Sequence, residues 1–176
     1  LWTTYLLSET LKSRIELMDL TLAICMYNAA PYIEQTLSCI LRQTRRDFHL
    51  LIVDDCSTDD SIVRVESFFK TNPRQFELQR LDINQGIAHA RQWTLTHATT
   101  KYLLFIDADD CPLPTLLEKE YAAIEQDANL IAVSSWLQFI DKNAHPIKGG
   151  LFMGAQTKDE FMRQAESAKR IFLPIQ

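Results

Sequence analysis

Three aspartates, Asp107, Asp109 and Asp110, stand within four residues, directly after the apolar run Tyr102 to Ile106. In extended backbone, alternate side chains share a face. Asp107 and Asp109 are therefore expected to address one site, with Asp110 on the opposite side. Two carboxylates on one face make a hard oxygen site suited to magnesium or manganese. Such ions keep several waters and complete their shell with substrate phosphates, neutralising a diphosphate that an acidic protein would otherwise repel. Capping of a helix that starts near Pro112 accounts for Asp110. It does not account for three crowded carboxylates, whose mutual repulsion favours a counterion.

A second acidic pair, Asp54-Asp55, follows the apolar run Leu50 to Val53 and precedes Cys56-Ser57-Thr58-Asp59. Ser57, Thr58 and Asp59 are available as helix caps, which leaves one of the pair free to accept hydrogen bonds from a base or from ribose hydroxyls. Asn84-Gln85-Gly86 precedes a helical segment carrying Arg91. Gly86 permits a tight turn or close ligand approach, and the planar guanidinium of Arg91 suits phosphate oxygens. An arginine on a helix is commonly just solvated; beside an acidic rim it gains weight. His49, His89, His97 and His145 show no metal spacing and read as structural or surface residues. Trp136 reads as core before sugar platform, and the Arg42, Arg45, Arg46 cluster as a solvated helix end.

These residues need elements to position them. Residues 1 to about 18 carry Leu7, Leu11, Ile15 and Met18 at helical spacing and are expected to form an amphipathic helical arm. From there strand and helix alternate. Strands are expected at Leu20 to Met26, Leu50 to Val53, around Phe76 and Leu78 nearer an edge, at Tyr102 to Ile106, and at Leu130 to Leu137. Helices are expected around Ile33 to Leu41, Ile62 to Phe69, Gly86 to Ala98, and Leu113 to Ile124 with Pro112 and Pro114 near its first turn. Asp141-Lys142-Asn143 reads as a turn, Gly149-Gly150 as a loop, and Gln156 to Ala168 as one more helix. Continuous apolar strands alternating with helices imply an α/β fold with a mostly parallel sheet covered on both faces. In such sheets ligands sit at the carboxyl ends of the strands, where Tyr27-Asn28, Asp54-Asp55 and Asp107-Ala108-Asp109-Asp110 all fall.

The 176 residues suit one domain with a substantial core. A formal net charge of -5 and the lack of a basic stripe argue against nucleic-acid binding. No run approaches a membrane span and no secretory signal is visible. The four cysteines, Cys25, Cys39, Cys56 and Cys111, have no metal spacing and read as free thiols in a reducing cytoplasm.

Taken in order, Leu22-Ala23-Ile24-Cys25-Met26-Tyr27-Asn28, Gln43-Thr44, Ile52-Val53-Asp54-Asp55-Cys56-Ser57-Thr58-Asp59, Asn84-Gln85-Gly86 with Ala90-Arg91, and Phe105-Ile106-Asp107-Ala108-Asp109-Asp110 resemble the inverting family 2 glycosyltransferases with the GT-A fold. The resemblance covers residues 20 to about 138. It implies a Rossmann-like, nucleotide-diphospho-sugar-transferase-like domain over residues 19–176, the nucleotide-sugar-binding portion of such an enzyme. It implies that Cys25, Tyr27 and Asp55 hold the nucleoside, usually uridine, with Asn28 among the donor-binding residues. Asn84 and Arg91 would lie near the donor, Asp107 and Ala108 near ribose and sugar, and Asp109, with Asp107, on Mn2+ or Mg2+. Cys25 replaces the proline or threonine often found there, which matters little where the contact is made by main chain.

The implied reaction moves a sugar from a UDP-sugar, with inversion, to a hydroxyl of a saccharide or lipid-linked saccharide, in surface polysaccharide synthesis in the cytoplasm or at the inner face of the membrane, where peripheral association fits. The family's general base lies well downstream of D-x-D. Asp141, Asp159 and Glu160 sit in the wrong setting for it, so the chain is expected to stop before the base and to bind donor and metal without transferring sugar unaided. An inactive nucleotide-sugar-binding module is the alternative. A phosphoacceptor receiver domain would need a hydroxyl residue such as Ser134 or Ser135 and then a lysine at later strand ends, and no such lysine follows. A nucleotidyltransferase would need a glycine-rich loop where Tyr27-Asn28-Ala29-Ala30-Pro31 stands.

Overall fold

A computed structural model describes residues 18–152 apart from 129, 136 and 142–144. The expected helices at residues 1 to 18 and 156 to 168, together with Trp136, Asp159 and Glu160, lie outside the described residues. The chain divides into two compact units, one ending at Glu118 and the other starting at Lys119.

The first unit holds a four-stranded, all-parallel sheet of β1 (Leu20–Met26), β2 (His49–Asp54), β3 (Glu77–Arg80) and β4 (Tyr102–Asp107), in the order β3-β2-β1-β4. Every residue of β1 is buried, as a central strand covered on both faces requires. Side chains alternate between two cores. Leu22, Ile24, Met26, Leu50 and Ile52 meet Ile33, Leu37 and Ile40 of α1 (Ile33–Leu41) and Val65 and Phe69 of α2 (Ser61–Thr71). Cys25, Leu51 and Val53 meet Ala90 and Trp93 of α3 (Ile87–His97) on the other face. Each fully buried Leu or Ile contributes about 1.5–3 kcal/mol. The α/β fold with helices on both faces is thus present as expected. The edge strand β3 is only half-buried and ends in Arg80, a charge that discourages further pairing.

Register fixes the rim. Cys25 pairs with Val53 and Asp107, and Met26 with Asp54, which in turn pairs with Arg80. From β1 the chain steps outward to β2 and β3, then returns to place β4 on the other side of β1. In such sheets a ligand crevice forms outside the carboxyl ends of the strands that flank the reversal, here β1 and β4.

Three expectations are corrected. The helix expected from Leu113 begins at Leu116, as α4 (Leu116–Gln126). Pro112 and Pro114 precede it, and Leu113 is exposed. Leu130 to Leu137 is no strand through 135: Ile131 is 97% exposed there, and the strand is β5 (Leu137–Ile140). Gly149-Gly150 is not a loop but lies within β6 (Pro146–Phe152), antiparallel to β5. Between β5 and β6, Asp141 accepts the His145 N–H at 2.9 Å, while Lys142 and Asn143 of the expected turn lie outside the described residues.

Candidate functional site

The loop after β1 and the loop after β2 are laced together by side chains. Asn28, at φ 50, turns its Oδ1 to the N–H of Thr58 at 2.8 Å and of Asp59 at 3.3 Å. In return Ser57 Oγ accepts the Asn28 N–H at 2.9 Å, and Ser61 Oγ accepts that of Ala29 at 2.8 Å. Of the three expected caps only Asp59 serves α2 directly, accepting the Ser61 N–H at 2.9 Å. Ser57 and Thr58 brace the rim instead. Tyr27, next to this lacing, is half exposed.

The acidic pair after β2 divides its work. Asp54 is fully buried, accepts the Ser57 N–H at 3.0 Å and lies 3.6 Å from Arg80 Nε. Arg80 also donates to Ser57 O at 2.8 Å. Asp55 is 2% exposed and points toward the start of α3. Its two oxygens accept the N–H groups of Gln85 at 3.2 Å and Gly86 at 2.8 Å. A carboxylate is well placed on a helix N-terminus, and each oxygen keeps a second lone pair for a ligand. Gly86, at φ 87, would meet nothing within 4 Å if it carried a Cβ. Its glycine answers a dihedral requirement, not a lack of space. Asn84 is exposed on this loop.

Beside the crevice, Arg91 Nη2 donates to Asp107 Oδ1 at 2.5 Å. The Arg91 Nε is buried without a partner among the described residues. Cys25 is buried under α3 with its Sγ 3.5 Å from Thr94 Oγ1. Burial pushes its thiol above the ordinary range. Any ligand contact at Cys25 therefore falls to its main chain.

The segment after β4 departs from expectation. It is not extended beyond Asp107: the Asp110 N–H donates back to Asp107 O at 3.1 Å, closing a turn over Ala108 and Asp109. Side-chain alternation ends with the strand, because an i to i+3 hydrogen bond reverses the chain there. Ala108 is buried and its carbonyl accepts Thr36 Oγ1 at 2.8 Å, while Asp109 is exposed at the tip. Burial, then the nearby charges of Asp107 and Asp109, raise the Asp110 carboxyl to about 6. A carboxyl whose folded pKa is raised favours the fold while protonated and opposes it once ionised. An Asp110→Asn variant is therefore expected to gain stability over the wild type as pH rises through about 6. The two should converge below the ordinary value of 3.8. Melting curves across this range check it, and a constant difference at every pH would remove the explanation.

Two features escaped sequence reasoning. Cys39 and Cys111 form a disulfide between α1 and the loop after β4, Cα atoms 5.4 Å apart, which corrects the expectation of four free thiols; Cys25 and Cys56 are free. The other is Gln43, a fully buried polar side chain in a motif that was matched without a role. No local spacing signals either, since the partners lie some 70 residues away in sequence. Among the described residues no group of three or more His, Cys, Asp or Glu is arranged to hold a metal ion. Nor is any described helix long and apolar enough to cross a membrane.

Known proteins share this architecture. The family model described as Glycosyl transferase family 2 matches residues 21–172. A teichoic acid poly(glycerol phosphate) polymerase of Staphylococcus epidermidis is 41% identical over 91 residues, 52% of this chain and 13% of that one. An uncharacterized glycosyltransferase of Haemophilus influenzae is 29% identical over 117 residues, 66% of this chain and 36% of that one. The solved S. aureus TarS 1-349 matches with a TM-score of 0.57 at 26% identity, covering 67% of this chain and 39% of that one. The chain spans less than half the length of these relatives.

Proposed function

Because the chain belongs to glycosyl transferase family 2, we propose that it binds a UDP-sugar in the crevice between β1 and β4 and serves transfer of the sugar, with inversion, to a hydroxyl acceptor. The carrying observation is that Asp55 follows β2 and Asp107 ends β4 with Asp109 just beyond, all at carboxyl ends of the parallel strands, and that Arg91 pairs with Asp107 there. In this reading the main chain at Cys25, the ring of Tyr27 and the carboxylate of Asp55 hold the nucleoside. Asn28 shapes the floor, and Asn84 lies on the neighbouring loop. Arg91 holds Asp107 in place and offers its remaining N–H groups toward the diphosphate. Asp107 and Ala108 border the ribose and sugar.

Asp109 is the residue that would hold Mn2+ or Mg2+, with Asp107 as its companion. One exposed carboxylate flanked by two more fits a hard cation that takes its other ligands from phosphate and water. Such an ion, when bound, would supply Lewis-acid stabilisation of the charge on the leaving diphosphate. The acceptor's proton needs a carboxylate base. Asp141 is committed to the hairpin turn, 3.5 Å from His145, so transfer is proposed to need residues other than those placed here.

The acceptor is proposed to be a saccharide or lipid-linked saccharide of a bacterial surface polymer, a reading supported by the polymerase relative. Peripheral association with the inner membrane face is part of the same reading. The Cys39–Cys111 bond bears against steady exposure to a strongly reducing pool. Thiol titration of protein taken directly from cells reads which condition holds.

The test is calorimetric titration of UDP into the chain with and without manganese. Micromolar binding that requires the metal is expected. If folded protein with metal present binds no uridine, guanosine or thymidine diphosphate, the donor-site reading is wrong.

A further inference from the structure

The Gln43-Thr44 motif has no role in the site described so far, yet it touches the loop that carries the D-x-D turn at every step. Gln43 Nε2 donates to Leu113 O at 2.8 Å and Pro112 O at 3.3 Å, and Gln43 Oε1 accepts the Leu117 N–H of α4 at 3.2 Å. The Thr44 N–H donates to Pro114 O at 2.7 Å, and its hydroxyl donates to Glu118 at 2.6 Å. Earlier on the same helix, Thr36 holds Ala108 O and Cys39 is bonded to Cys111. Residues 36, 39, 43 and 44 thus grip residues 108, 111, 112–113 and 114 in matching order, so that α1 and its C-terminal extension form a rail along the loop. The loop needs such a rail. Pro112 and Pro114 have no N–H to close turns of their own, so the stretch is held by donors from outside it, Gln43 and Thr44 among them.

We propose that Gln43 is a positioning residue for the donor site: by holding Pro112, Leu113 and the first turn of α4, it fixes the turn on which Asp109 stands and thereby the geometry offered to the metal–diphosphate. This rests on the donor reading above. Gln43 is buried, and its side-chain hydrogen bonds among the described residues go to its own helix end, to Pro112 and Leu113 and to Leu117, so any effect on the donor passes through the loop. Its side chain is suited to the task because one planar amide supplies donors for two carbonyls and an acceptor for the helix N–H. A glutamate of the same shape keeps the acceptor and loses the donors, setting a carboxylate against two carbonyl oxygens.

The test compares wild type with Gln43→Glu and Gln43→Met, all with the disulfide closed. Two readouts are taken: amide hydrogen exchange, and UDP affinity with and without manganese. Faster exchange confined to residues 108–118 is expected in both variants. The manganese-dependent gain in UDP affinity should fall on the order of 10-fold, while the metal-free affinity stays at the wild-type value. A merely structural role would move both affinities together or neither. Folded variants that keep the full manganese gain overturn the proposal, as does unchanged exchange in 108–118. A wild type that binds no UDP overturns the donor reading and the role toward the metal with it, and exchange alone then decides whether Gln43 clamps the loop.

Discussion

An Asp109→Ala variant is expected to bind UDP no more tightly with manganese than without it. Asp109 stands exposed at the tip of the turn closed by the Asp110 N–H, so its removal leaves no cavity and breaks no described hydrogen bond. Surface changes of this kind shift stability by no more than about 0.5 kcal/mol, and the melting curve should be unmoved. The loss in binding is different in scale. A carboxylate near a divalent ion is worth several kcal/mol even after screening, so the manganese-dependent affinity should drop roughly 100-fold or more. Asp107→Ala would give a less readable result, because it also strips Arg91 of its ion pair at 2.5 Å and leaves a half-buried guanidinium without it. Titration calorimetry on both variants separates these cases. An Asp109→Ala protein with a full manganese response would move the metal away from this turn.

Opening the Cys39–Cys111 bond is expected to produce the largest loss of stability of any single change proposed here. The bridge spans a sequence separation of 72 residues. On the chain-entropy account, closing a loop of that length restricts the unfolded chain by about 4 kcal/mol. For a protein of this size that amounts to a fall in melting temperature of about 10 °C. A Cys111→Ser variant should show it with or without reductant. A reductant should bring wild type down to the level of the variant and leave the variant where it was. Arg42 donates to Cys39 Sγ at 3.0 Å, so the released thiol is not left unpartnered in the core. Equal melting of oxidised and reduced wild type would show that the unfolded chain is not restrained in this way.

The parallel sheet was legible in the sequence because its central strands are buried on both faces. Leu20 to Met26, apolar but for Thr21, and Leu50 to Val53 read as short apolar runs. Helix faces were legible for the same reason: Ile33, Leu37 and Ile40 recur at helical spacing and all are buried. Where burial is decided by a distant partner, local pattern misleads. The apolar residues from Leu130 onward look like a strand, yet Ile131 is almost wholly exposed. The positions of the acidic residues at strand ends followed directly from the alternation of elements. Their orientations did not. Asp107 was expected beside Asp109 on one face, but a turn hydrogen bond after β4 and the pull of Arg91 decide where each one lies. Gln43 and the cystine were invisible because their meaning resides in contacts made across the fold.

The order of the sheet also has a consequence for how the chain comes into being. β1 is its centre, with Leu20 paired across to Tyr102, but the whole of α1, β2, α2, β3 and α3 must be synthesised before that partner exists. During this interval one long edge of a strand that is apolar but for Thr21 has no mate, and such edges recruit other chains. Cys39 likewise waits for Cys111. The segment that closes the sheet is the same one that delivers the D-x-D aspartates. An emerging polypeptide therefore completes its most aggregation-prone seam and its acidic rim in a single late event.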